Sequence, residues 1–450
     1  MRTSTNVYRA GVIAAAVAVS AASLSACGSA SKPGSSSSTS ASGAAAAAPA
    51  GIADKGSKEF TYWSMWQQNE PQAKVIKKAA DDFTAATGIK VNIQWQGRDV
   101  ITKLTPTLKT GAAADLVDQS VNALGALVAK DATSDLSGVY ATKVTGEDKT
   151  VGEVIPASYK TFLNDKNGKP FIAPYEVSSE GLWFDASKFP DLAANPPKTW
   201  DDLIALFDKA KSQGMAPVAL PGDDKYWTLL TLQRTLGTDG LKKLAGDKTG
   251  AAWDDPKVLA AAQKVQDLRT KGYFIQGYES SKSIDEEGNF AKGKAAFYLS
   301  GTWVPSEAAP NTTPGFKFDS IQLPALDAGN TDTGINFFGF AVPKTASHSD
   351  AAEKFIAFFM KKEELAGIST QAVNLTPRAD IDPPAQLASI SKALGGTVYA
   401  DQAHLSVDYA DWTNKMFNPE MIRLVTGQDD AAKFVANGKQ GTIDYWKSAS

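Results

Sequence analysis

Trp63, Trp66, Gln67 and Glu70 fall in one short run, TYWSMWQQNEP. Tyr175 and Glu176 are adjacent, Trp227 follows Asp-Asp-Lys-Tyr, Trp303 follows Gly301-Thr302, and Asn336 stands just before Phe337-Phe338. Flat rings beside planar hydrogen-bonding groups suit a ligand with apolar faces and a hydroxylated rim, and a pyranose ring has that shape. Aromatic rings cover its faces, while carboxylates, amides and a guanidinium such as that of Arg378 reach its rim. For any single tryptophan the plain alternative is core packing. That is the expectation for Trp95, Trp183 and Trp200, which sit inside periodic segments. Trp63, Trp66, Trp227 and Trp303 fall where strands are expected to end, so ligand contact is expected of them. Tyr175, Glu176 and Arg378 have a structural alternative, because Glu–Arg pairs often serve the fold alone.

Other chemistries find little support. His348, His404 and Cys27 are the chain's only histidines and cysteine, so neither an internal disulfide nor a His/Cys metal centre can be assembled, and no cofactor is expected. With 46 basic and 49 acidic side chains the formal charge is -3, against a nucleic-acid-binding surface. GNFAKGKA from Gly288 nearly spells a phosphate-binding loop, but Ala295 lacks the hydroxyl a magnesium ion needs and the run leads into a strand. Asp327–Gly334 has scattered oxygen ligands like a calcium loop, yet its twelfth position is Phe338 where a bidentate Glu belongs. Neither GxSxG nor HExxH occurs.

These residues must be positioned by a substantial fold. At 450 residues and 43% hydrophobic, the chain exceeds what one core usually accommodates, so two lobes are expected. Residues 1–26 read as an export signal: Arg2 and Arg9 precede the apolar run Ala10–Ala26. That run ends in Leu-Ser-Ala-Cys-Gly, which resembles a bacterial lipobox and makes Cys27 the expected lipid-bearing mature N-terminus. An ordinary secretory signal is the alternative. Its removal leaves 44 basic against 49 acidic groups, a net of -5. Residues 27–57, rich in Ser, Ala and Gly, read as a flexible tether.

From Lys58 onward, strands at 59–63, 89–95 and 114–117 alternate with helices that begin at Pro71 and Asp99, the pattern of a parallel-type α/β sheet. Ligands of such sheets sit beyond the carboxyl ends of strands, which brings Asp118 and Gln119 to the same mouth as Trp63 and Trp66. A hairpin at Asn167-Gly168 leads into the strands 171–176 and 177–185. Helices are expected at 200–212, 226–236, 256–271, 349–361, 416–425 and 429–446, and a strand at 335–343.

The lipobox, TYWSMWQQNEP, AADLVDQS, GKPFIAPYEVSSEGLWFD, DDKYW, NFAKGKAAFYLSGTW and NFFGFAVPKTASHSDAAEKFIAFF occur in an order and spacing that resemble bacterial extracellular solute-binding proteins of carbohydrate ABC importers. The likeness runs from Lys58 to Trp446. It implies an α/β, two-lobe periplasmic-binding-protein-like fold of type II, with lobe 1 at 58–174 and 340–380 and lobe 2 at 175–339 and 381–450. The chain would cross between lobes near Tyr175, Phe340 and Asp380. It further implies a monomer that closes by a hinge on a sugar, hands it to the membrane permease subunits of the importer, and is held to the outer face of the cell membrane by lipid on Cys27. So many rings suit a di- or oligosaccharide. Two other readings stay open: a glycoside hydrolase using a pair drawn from Glu70, Glu176 and Glu180, and a binder of another polar solute such as a polyol.

Overall fold

A computed structural model describes residues 51–326 and 330–449. The expected export signal, Cys27 and the tether as far as residue 50 lie outside the described residues, as do the first three positions of the 327–334 loop. Of the remaining tether, Ile52–Ser57 is tied to the body. The Ile52 N–H donates to Thr142 Oγ1 at 3.1 Å, and Asp350 accepts from the Lys55 N–H at 2.9 Å and from Ser57 Oγ at 2.6 Å.

Ten strands form two sheets: Glu59–Ser64 (β1), Lys90–Trp95 (β2), Leu116–Ser120 (β3), Ala173–Ser178 (β4), Glu180–Asp185 (β5), Ala216–Ala219 (β6), Ala295–Gly301 (β7), Phe318–Ile321 (β8), Thr333–Ala341 (β9) and Val398–Ala400 (β10). The first sheet runs β10-β9-β3-β1-β2, with β4 also on β9, and the second runs β6-β7-β5-β8. β1, β2 and β3 are parallel as expected, but β9 lies antiparallel to both β3 and β4. In the second sheet β6 and β7 are parallel, and β5 is antiparallel to β7 and β8.

The chain passes from the first sheet to the second at Ser179, between β4 and β5. It returns between β8 and β9, so Phe340 lies well inside the first sheet. The helix Ala388–Leu394 then packs on both β8 and β9.

Local sequence explains the framing helices. Pro71 opens the helix Pro71–Thr87, and Gly88 ends it in the left-handed conformation at φ 72°, its N–H donating to Thr84 O. Val75, Ile76, Ala79, Ala80 and Phe83 form its buried stripe. Burying side chains of this size stabilises by roughly 1.5–3 kcal/mol each for Val, Ile or Phe. Thr199 and Asp202 form a capping box at the start of Trp200–Ser212. The helix from Tyr226 runs past Leu236 to Gly246, with a break at Gly237 (φ 68°) that only glycine adopts readily.

Candidate functional site

Parallel pairing of β1 with β3 brings both carboxyl ends to one edge of the first sheet: Met65 and Trp66 just after one strand, Gln119 one residue before the end of the other. On the second sheet, the parallel pair β6 and β7 sends Pro221–Tyr226 and Ser300–Trp303 to a common edge in the same way. Two cavities occupy these edges. One, of about 290 Å³, is lined by Met65, Trp66, Arg98, Gln119, Glu176, Trp303, Glu307 and Phe338. The other, of about 570 Å³, shares Arg98, Trp303 and Glu307 and adds residues from around the second sheet, among them Asp223, Asp224, Lys225, Tyr226, Glu287 and Tyr298. Sharing three wall residues makes them two halves of one cleft.

The floor of the smaller half is a buried polar relay. Trp66 is 3% exposed. Its Nε1 donates to Tyr175 Oη at 2.8 Å, and Tyr175 Oη donates to Asp118 Oδ2 at 2.7 Å. Asp118 also accepts from the Met65 N–H at 2.7 Å. Burial pushes the Asp118 carboxyl up to about 6, against the pull of those donors. A bulge in the β4–β9 pairing falls at Tyr175, between Pro174 and Glu176. Bulges re-aim side chains, and here Tyr175 reaches beneath Trp66 while Glu176 reaches the cavity wall. Gly339 opposite has no room for a side chain, since a Cβ there would stand 2.5 Å from Ala173 O. Glu176 accepts from Asn374 Nδ2 at 2.6 Å and Gln72 Nε2 at 3.3 Å, and burial pushes its carboxyl up to about 8.

The aromatic wall is made by Trp66, Phe338 and Trp303. Phe338 lies 5.9 Å from Trp66 and 6.5 Å from Trp303, edge-on to the latter. Arg98 covers the Trp66 ring at 4.6 Å and is held by Glu70 through contacts of 2.6 and 3.0 Å.

The residues singled out in the sequence therefore divide. Trp66, Gln119, Glu176, Trp303 and Phe338 line the cleft. Asp118 and Tyr175 stand beneath it, and Glu70 fixes Arg98. Gln67 is exposed beside this wall, where its N–H donates to Glu70 Oε2, and Trp63 is half-buried against the core of the first lobe, lining neither cavity. Asn336 borders a separate small cavity with Glu180, Tyr399 and Asp401.

Two residues lie elsewhere. Trp227 is 0% exposed, packed between Phe207 and Phe274 at 6.0 and 6.2 Å. It falls inside the helix Tyr226–Gly246, not before it, so helical periodicity turns the ring inward. Arg378, 3% exposed, pairs with Glu147 and Asp380 at 2.8 Å each and donates to Met360 O. It is a structural tie, the alternative weighed for it above.

Sequence reasoning missed Arg98, Glu307, Glu287 and the Asp223–Tyr226 run. The last had a signal: DDKYW follows a strand end, and the three residues before the helix with its first residue, Tyr226, not the tryptophan after it, are the ones that face the cleft. Arg98, Glu287 and Glu307 sit in loops or short helices that carry no distinguishing pattern.

The family model described as bacterial extracellular solute-binding protein matches residues 78–393. The chain belongs to that family. Among relatives of this solute-binding protein, the diacetylchitobiose-binding protein NgcE of Streptomyces coelicolor is 26% identical over 65% of this chain and 61% of its own length. A probable sugar-binding periplasmic protein of Mesorhizobium japonicum is 28% identical over 66% of this chain and 72% of its own. An uncharacterized ABC transporter extracellular-binding protein of Pyrococcus horikoshii is 28% identical, but the match spans 46% of this chain and 49% of that relative. The chain thus spans about half to three-fifths of two of these relatives. Relatives with assigned roles are named as binding proteins.

Among solved structures, a chitin oligosaccharide binding protein superposes with a TM-score of 0.72 at 18% identity, covering 86% of this chain and 100% of its own. RafE in complex with raffinose gives 0.70 at 18% identity, covering 86% and 99%. The fold is accordingly the two-lobe solute-binding fold. Family membership places its work outside the cytoplasm, and among the described residues no helix is long and apolar enough to cross a membrane.

Proposed function

We propose that the protein captures a di- or oligosaccharide between its lobes and delivers it to the permease of an ABC importer. The observation that carries this reading is the cleft itself. Residues after strand ends of both sheets converge on it, and Trp66, Phe338 and Trp303 form an aromatic wall beside Gln119, Glu176 and Arg98, the combination a pyranose needs. The sugar-binding names of relatives and neighbours support the same class. Contacts made to both lobes favour the closed form, which is the form the permease recognises.

In this reading lobe 1 carries the six-stranded sheet and lobe 2 the four-stranded one. The lobes exchange at Ser179, between β8 and β9, and a third time after β10, later than Asp380, since the closing helices pack with the second core. The site comprises Trp66, Arg98, Gln119, Glu176, Trp303 and Phe338. Lipid on Cys27 anchors the chain to the outer face of the membrane, and the protein acts as a monomer that returns its ligand unchanged. The hydrolase alternative loses ground on geometry: Glu70 is engaged by Arg98, and of Glu176 and Glu180 only the former lines the aromatic half of the cleft.

The test is a titration with xylo-, cello-, malto- and chito-oligosaccharides, following tryptophan fluorescence and new reducing ends together. Saturable fluorescence change without new reducing ends is expected. Product formation overturns the binding reading.

A further inference from the structure

The larger half of the cleft is more acidic than a neutral sugar requires. Asp223, Asp224, Glu287 and Glu307 line it, against the two cations Arg98 and Lys225. Arg98 is already committed to Glu70 and to the face of Trp66. Lys225 makes no ion pair among the described residues, and its ammonium rests 5.6 Å from the Tyr226 ring centroid.

Glu287 is the informative group. It lines the cavity, is only 4% exposed, and among the described residues has neither a hydrogen-bond donor nor an ion-pair partner. Leaving a buried carboxylate unpaired is expensive, and such groups ordinarily acquire a counter-charge. Burial, and after it the neighbouring Glu307, pushes its carboxyl up to about 8, and burial pushes Asp224 up to about 7. On the far side of Lys225, Glu180 Oε2 is shielded from solvent and likewise lacks a partner. Tyr226, Tyr298 and Trp303 offer aromatic faces in the same space, and these attract cations as well as sugar rings.

We propose that this half of the cleft seats a protonated amine beside Glu287, so that the captured ligand is an amino-sugar oligomer with free amino groups. This rests on the oligosaccharide reading above and narrows it. An ammonium at C2 of a sugar unit supplies the counter-charge that Glu287, Glu307 and Asp224 lack, so its arrival displaces the protons that burial holds on these carboxyls.

The experiment compares two probes that differ only at C2: cellobiose and the β-1,4-linked glucosamine dimer, titrated calorimetrically into the full chain at pH ~7, where Glu287 and Asp224 can ionise beside an ammonium. The amino dimer is expected to bind at least about 10-fold more tightly, the scale of a desolvated charge pair. Raising the salt concentration is expected to erode that advantage, and Glu287→Gln to reduce it to within about 3-fold. Glu307→Gln, at an exposed position on the neighbouring helix Val304–Ala308, is the second variant should the first fail to fold, and it too is expected to shrink the ratio. Cellobiose binding as tightly as the amino dimer, or more tightly, overturns this inference and leaves the sugar reading standing. Silence from both dimers and from every neutral oligosaccharide overturns the sugar reading, and this inference with it.

Discussion

Trp303 and Trp66 line the same cavity on different terms. Trp303 is half-buried, its ring laid over Gly301, and its removal opens the cleft without emptying a core. Trp66 is buried and donates to Tyr175, so its loss strands the Tyr175–Asp118 pair as well. Trp303→Ala is expected to weaken oligosaccharide binding roughly 10- to 100-fold, the cost of a stacking anchor, while shifting thermal unfolding little. Trp66→Ala is expected to lose binding together with about 3–5 kcal/mol of stability. Titration and thermal melts of the two variants check this, and equal stability loss in both would place Trp303 in the core instead. At this scale the cleft lining was legible where a residue type and an expected strand end coincided, as at Trp66, Gln119 and Trp303. It misled at Trp227, because a ring next to a strand end and a ring one position into a helix look alike until the helix start is known. It was silent on Arg98, which gains its role only from the fold that brings Glu70 and Trp66 to it.

The element that sets the aromatic wall is the end of β7. A Cβ at Gly301 would come within 2.1–2.5 Å of the Trp303 ring, so glycine there lets the indole fold back on its own strand. Gly301→Ala is therefore expected to displace Trp303 and reduce affinity about as much as Trp303→Ala, with only a modest loss of melting temperature. Unchanged affinity in that variant would contradict the wall described here. Helix boundaries at this scale followed from local chemistry, as with Pro71 and Gly88 or the Thr199 capping box, since caps act within a turn. The antiparallel course of β9 and its membership of the first sheet were not readable from the chain, because both depend on a pairing between segments far apart in sequence. The same holds for where the chain changes sheet, at Ser179 and ahead of β9.

For the whole molecule, the buried acids of the cleft and the hydrogen-bonded carboxylates elsewhere pull stability in opposite directions with pH. Burial raises Asp118 to about 6, Asp224 to about 7, and Glu176 and Glu287 to about 8. The folded form thus keeps protons that the unfolded chain releases near pH ~4, and stability from these groups is lost as pH rises from there through ~8. Asp350, Asp380 and Asp429 are held down at about 2 by the donors around them, although Asp350 and Asp429 are buried, and their contribution is lost only as pH falls below ~4. The ligand-free protein is expected to melt highest near pH ~5 and several degrees lower at pH ~8. A melting temperature that rises across that interval contradicts the buried-acid cleft. Two lobes were foreseeable from length alone, and the family from ordered motifs, but which lobe carries the surplus of acid emerges only once loops from β6 and β7 meet. The central claim is that this cleft binds an oligosaccharide and leaves it intact. Isothermal titration of the full chain with di- and trisaccharides tests it most directly, since one trace reports both binding and turnover. The account predicts a saturable, one-to-one heat that returns to baseline after each injection and is greatly diminished in Trp303→Ala. A sustained heat flow from continuing reaction, or no saturable heat with any oligosaccharide, would contradict it.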